Sequence, residues 1–98
     1  MIDATTPTDG ERLRSAAIGR ALADPKRLCV LESLAAGELS VSELSVRVGC
    51  QVPNMSQHLA VLRSAGLVST RREGSTIFYR LADQRVIEAY RLIQSIAR

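Results

Sequence analysis

Cys29, Cys50 and His58 are the side chains best suited to chemistry in this chain of 98 residues. Two thiols are too few for a disulfide framework, and their spacing matches no zinc pattern. A bond between them would need Cα atoms within about 7 Å, which the spacing leaves open. One imidazole cannot build a metal site from the commonest ligands. A hydrolytic triad or an imidazole acid/base pair would have to run through His58, and no nucleophile is placed to face it. No Gly-rich phosphate loop is present, and a body of 10.7 kDa is too small for a deep substrate pocket. These residues argue for a binding protein and not an enzyme, with neither metal nor cofactor.

A second set of residues points to a polyanion. Residues 51–82 carry Arg63, Arg71, Arg72 and Arg80 against Glu73 alone, a net +3, whereas residues 1–50 sum to −1 and residues 83–98 to +1. Positive potential concentrated in the third quarter suits a polyanion-binding face, although a solvated basic face has the same composition. At the start of that quarter stand Val52, Pro53, Asn54, Ser56 and Gln57, two apolar residues beside three short polar ones.

The elements that position these residues follow from the periodicity. Residues 1–8 are polar and Pro-containing and read as a flexible N-terminus; residues 9–98 read as a single domain. Leu13, Ala16, Ala17, Ala21 and Leu22 recur at helical spacing from about Asp9. Asp24-Pro25 caps and opens a second helix, with Leu28, Leu31, Leu34 and Ala35 as one stripe and Gly37 as its stop. Ser40 and Glu43 form a capping box for a short helix that turns Val41, Leu44 and Val48 inward and ends at Gly49. Pro53 opens the next, with Met55, Leu59 and Leu62 inward and Gly66 at its end. Two helices so closely joined make a helix-turn-helix pattern.

The period then changes from helical to alternating. Leu67–Arg72 and Thr76–Leu81 are β-branched or aromatic runs around Glu73-Gly74-Ser75, a hairpin with Arg71, Arg72 and Arg80 on its solvent side. Asp83 is placed to cap a last helix carrying Val86, Ile87, Tyr90, Ile93 and Ile96. The fold class is mainly α with a small β-hairpin, in the order α-α-α-α-β-β-α. That is a winged helix-turn-helix, with the hairpin as the wing.

Three fragments, Ala21-Leu22-Ala23-Asp24-Pro25-Lys26-Arg27-Leu28, Gly37-Glu38-Leu39-Ser40-Val41-Ser42-Glu43-Leu44 and Ser56-Gln57-His58-Leu59-Ala60-Val61-Leu62-Arg63-Ser64-Ala65-Gly66-Leu67-Val68, are followed by Arg71-Arg72-Glu73-Gly74 through Phe78-Tyr79-Arg80-Leu81. Together they resemble the ArsR/SmtB family. The resemblance implies a dimeric winged-helix repressor that leaves its operator on binding an inducer. It also implies which site is missing. Arsenic- and cadmium-sensing relatives carry Cys-Val-Cys where this chain has Ser40-Val41-Ser42, and hydroxyls bind soft metals poorly. Zinc-sensing relatives use Asp and His pairs on the last helix, which here holds Asp83 and Glu88 but no histidine.

The resemblance assigns DNA contacts to Val52, Pro53, Asn54, Ser56, Gln57, His58 and Arg63 on the recognition helix, and to Arg71, Arg72, Gly74 and Ser75 on the wing. Asn and Gln can bond adenine in a bidentate manner, Val52 and Pro53 can touch a thymine methyl, and the arginines can meet phosphates. His58 is expected to pack or to contact a phosphate. Cys29 and Cys50 flank the entry to the helix-turn-helix and are the candidate sensors. Thiol-sensing relatives place their second-helix cysteine at the position of Glu32 and pair it with one in the last helix, and this chain has neither. Cys50 otherwise reads as a small apolar filler in the turn.

A chain of this length buries only about 60–65% of its unfolded surface, so part of its apolar face is expected to meet a second copy. Leu13, Ala17, Val86, Tyr90, Ile93 and Ile96 are the expected homodimer contacts. The N-terminus lacks the basic and apolar regions of a signal peptide, and no apolar run is long enough to span a membrane, so the expected location is the cytoplasm. The competing reading is a winged-helix module that binds another protein and has no inducer. Salt separates the two, because phosphate contacts weaken steeply with ionic strength.

Overall fold

The computed structural model describes residues 6–98. Its elements are α1 (Asp9–Leu22), α2 (Pro25–Leu34), β1 (Leu39–Ser40), α3 (Val41–Val48), α4 (Val52–Ser64), β2 (Val68–Glu73), β3 (Thr76–Leu81) and α5 (Arg85–Ala97). Of the segment read as a flexible terminus, Met1–Thr5 lies outside the described residues. Thr8 has a defined role: it accepts the Glu11 N–H, and the Glu11 carboxylate returns to the Thr8 N–H. This is the same reciprocal capping that Ser40 and Glu43 give α3.

The expected order lacked one strand. Leu39 and Ser40 pair with Tyr79 and Phe78, so the sheet has three antiparallel strands in the order β1-β3-β2. Two residues carry no alternating pattern of their own; only the pairing with β3 makes them a strand. The hairpin is one residue tighter than expected. Glu73 pairs with Thr76, leaving Gly74-Ser75 as a two-residue turn. Gly74 takes φ 61°, the positive φ that favours glycine at the first central position of such a turn.

α2 packs against α1, α3, α4, α5 and β3. A central helix is buried on more than one face, so Val30, outside the expected stripe, is fully buried with Leu31 and Leu34, while Ala35 is exposed. Leu44, Met55, Leu59 and Leu62 complete this core with Leu67 and Val68. Asp83 caps α5 as expected, from one residue before the helical Gln84. Gln84 makes no side-chain capping bond, and Asp83 accepts the Arg85 N–H at 2.8 Å. No helix among the described residues is long and apolar enough to cross a membrane.

Candidate nucleic-acid interface

The corner between α3 and α4 is held from both sides. Gly49 ends α3 at φ 77°, and the N–H groups of Gly49 and Cys50 both return to the Ser45 carbonyl. The Lys26 ammonium reaches across from α2 and donates to the carbonyls of Val48 and Gly49, at 3.4 and 3.2 Å. A cation on the last carbonyls of a helix satisfies acceptors that would otherwise lack partners and offsets the negative end of the dipole. Cys50 packs half-buried against the core, in line with its reading as a filler.

That corner presents the first turn of α4 outward. Met55, Leu59 and Leu62 are fully buried, whereas Val52, Pro53, Asn54, Ser56, Gln57 and Arg63 are exposed. Asn54 and Gln57 are three residues apart and share a face. Gln51 gives α4 no side-chain cap, so the N–H groups of the first turn keep their capacity for an anion, apart from Pro53, which has none. His58 is half-buried, with its Nδ1 3.4 Å from Nη1 of Arg27.

The wing distributes its arginines unequally. Ser69, Arg71 and Glu73 lie on one face of β2, and their partners Arg80, Phe78 and Thr76 share it. Arg71 stacks over the Phe78 ring at 5.0 Å and donates from Nε to both oxygens of Glu38, at 3.1 and 3.0 Å, and from Nη1 to Glu73 at 3.1 Å. The hydrogen bond from Arg71 is the main reason the Glu38 carboxyl lies below its ordinary pKa, and the Arg71 guanidinium is raised in turn. Arg71, expected to meet phosphates, is therefore already engaged by two carboxylates and ties the wing to the segment before β1. Arg72 is exposed and spends only Nε on the Gly74 carbonyl, and Arg80 spends Nε on Ser69. Gly74 and Ser75 are exposed at the tip, and Ser75, Thr76 and Ile77 face Ser40, Val41 and Ser42 across a shallow cleft.

The family model described as bacterial regulatory protein, arsR family, matches residues 24–70, from the cap of α2 through the recognition helix into the wing. The HTH-type transcriptional regulator KmtR of Mycobacterium tuberculosis is 58% identical over 67 residues, 68% of this chain and 52% of that protein. A biofilm growth-associated repressor of Xylella fastidiosa is 39% identical over 77 residues, 79% of this chain and 68% of the repressor. The chain belongs to the ArsR family. It spans only about half the length of KmtR. A solution structure of a homodimeric winged helix-turn-helix DNA-binding domain from Mycobacterium bovis superposes with a TM-score of 0.83 at 35% identity, covering 97% of this chain and 90% of that one. The winged-helix reading of the fold agrees with that neighbour.

Within this ArsR-family fold, the residues expected at a dimer contact divide into three groups. Leu13 on α1 and Ile93 and Ile96 on α5 are 70%, 49% and 84% exposed. Ile18 and Leu92, not named from the sequence, join them as exposed apolar residues on the same two helices. Leu92 and Ile96 stand four residues apart, and that spacing was the available signal. Ala17 is half-buried and lines a groove between α1 and α4. Val86 and Tyr90 turn into their own protomer. Val86 packs on the core, and Tyr90 is buried with its hydroxyl donating to the Glu32 carboxylate on α2. That hydrogen bond is the leading reason the phenol is raised above its usual pKa. Glu32, at the position where thiol-sensing relatives carry a cysteine, thus has an α5 partner of different chemistry. Cys29 is half-buried against the core, and both cysteines are free thiols. Among the described residues no three His, Cys, Asp or Glu side chains gather to hold a metal ion.

Proposed function

We propose that this ArsR-family chain is a sequence-specific DNA-binding transcriptional repressor that acts as a homodimer on an inverted-repeat operator. The observation that carries the reading is the amphipathic recognition helix: three fully buried residues seat it, and its first turn stands uncapped and exposed with Asn54 and Gln57 on one face. Asn54, Ser56 and Gln57 read base edges, with Val52 and Pro53 toward thymine methyls. Arg63, Arg72, Gly74 and Ser75 meet the backbone. Arg71 holds the wing in place. A relative named as a repressor and a homodimeric DNA-binding neighbour support the reading.

The exposed apolar residues of α1 and α5 form the dimer face, which sets two recognition helices about 34 Å apart, one turn of DNA. The DNA places the protein in the cytoplasm, and binding, not catalysis, is its activity. Release comes from a signal read by Cys29 or Cys50, which flank the entry to the helix-turn-helix. Selection of bound duplexes from a random-sequence pool, followed by titration at several salt concentrations, tests the reading. A recovered palindromic consensus and an affinity that falls steeply with salt are expected. No consensus, or a salt-insensitive partner that is a protein, would overturn it.

A further inference from the structure

The proposed interface leaves unexplained why a half-buried arginine stands against the recognition helix. Arg27, on α2, has a side chain only 16% exposed. Its Nε donates to the Ala21 carbonyl at 2.7 Å and its Nη2 to the Arg20 carbonyl at 3.1 Å, two acceptors in the last turn of α1. Its own N–H donates to Asp24 Oδ1 at 3.1 Å, and Nη1 stands 3.9 Å from Asp24 Oδ2. Desolvation raises the Asp24 carboxyl, but the N–H groups of Arg27 and Lys26 and the charge of the Arg27 guanidinium outweigh it, and its pKa lies below the ordinary value. The same Nη1 is 3.4 Å from Nδ1 of His58. One planar group therefore joins the end of α1, the cap of α2 and the middle of α4.

We infer that Arg27 is a positioning residue for the recognition helix, acting through His58; the inference rests on the DNA-binding reading above. A guanidinium has donors only, so in a hydrogen bond across this 3.4 Å contact the ring nitrogen is the acceptor. That fixes the neutral imidazole with its proton on Nε2 and fixes the plane of the ring. Met55, Leu59 and Leu62 hold α4 through apolar contact, which has no direction of its own. His58 lies one turn beyond Asn54 and next to Gln57, so a directional bond at His58 sets where both amides point. The other end of the link is α1, which carries Leu13 and Ile18 of the proposed dimer face. Arg27 thus ties the helix that pairs two protomers to the helix that reads DNA.

His58 is the chain's one histidine, so its ring nitrogens give a single assignable set of signals in nitrogen-15-labelled protein. The expected spectrum of the full chain shows the Nε2–H tautomer alone, and Arg27→Gln admits beside it the minor Nδ1–H form that a free neutral imidazole also populates. A duplex recovered from the random pool and a scrambled duplex supply the second measurement. Arg27→Gln and His58→Ala each lower the ratio of the two affinities about tenfold, with the double variant no worse than either single one. His58→Asn, whose amide oxygen can take the place of Nδ1, keeps the ratio. His58→Ala leaves the end of α1 capped, so it remains informative if Arg27→Gln fails to fold. A proton on Nδ1 in the parent, or an unchanged ratio in His58→Ala, would overturn the inference. Failure of the parent to select any duplex would remove the DNA-binding reading itself and this inference with it.

Discussion

Replacing Ile96 by serine should separate assembly from folding. Ile96 is 84% exposed in the protomer, so its side chain contributes little to the stability of one copy. Fully burying an isoleucine stabilises by roughly 1.5–3 kcal/mol. Covering the exposed part of Ile96 in a dimer is therefore worth about 1–2.5 kcal/mol per protomer. A two-fold interface counts the residue twice, so the dimer gains about 2–5 kcal/mol, or roughly 30- to 4,000-fold in its dissociation constant. Sedimentation over a dilution series measures that constant, and thermal melting under monomeric conditions checks the fold. The expected result is a dimer weakened across that range with the melting of the protomer unchanged. Ile87→Ala, at a buried residue on the same helix, should instead lower the melting temperature. An unaltered dimer constant in Ile96→Ser would refute the placement of the interface on α5.

Three further outcomes follow from the geometry. The same substitution should act differently at the cap and in the body of α3: Ser40→Ala removes the cap and costs about 0.5–2 kcal/mol, whereas Ser45→Ala removes a buried hydroxyl that has no partner among the described residues and should be neutral or stabilising; urea titration of both variants decides. Asp24, Glu38, Glu43 and Asp83 all have carboxyls lowered from ordinary values of 3.8 or 4.5. Their stabilisation is present above those values and is lost as pH falls through the lower folded ones, so denaturation midpoints should fall progressively as the pH is lowered below about 4.5. A Cys29→Ser/Cys50→Ser double variant should stay on DNA when the parent is released by an oxidant or a persulfide; release of both alike would remove the thiol reading.

The features legible from sequence were those whose cause lies within a few residues. Asp24-Pro25, the Ser40–Glu43 box, Gly49 and the Met55/Leu59/Leu62 triplet each carry their own local reason, and the structure has all of them. Thr8 and Glu11 have the same three-residue spacing as Ser40 and Glu43, so that cap was also readable. The remainder depends on partners far along the chain. β1 exists through a strand some 40 positions away, Val30 is buried because α2 is surrounded, and Tyr90 turns inward toward Glu32. Arg71 reads as a phosphate contact by type and place, and its bond to Glu38, 33 positions earlier, is not visible from the sequence. Lys26 and Arg27 sit inside the motif that resembles the family, yet their work at the ends of α3 and α1 appears only in three dimensions.

The most direct test of sequence-specific reading by α4 compares Asn54→Ala with Arg72→Ala on the selected operator and on a scrambled duplex, each at several salt concentrations. Asn54→Ala should cost roughly 1–3 kcal/mol on the operator and almost nothing on the scrambled duplex, with the salt slope unchanged. Arg72→Ala should weaken both duplexes alike and lower the slope by about one. Equal losses on both duplexes for Asn54→Ala, together with an operator-only loss for Arg72→Ala, would contradict the assignment of α4 as the reader and the wing as the clamp.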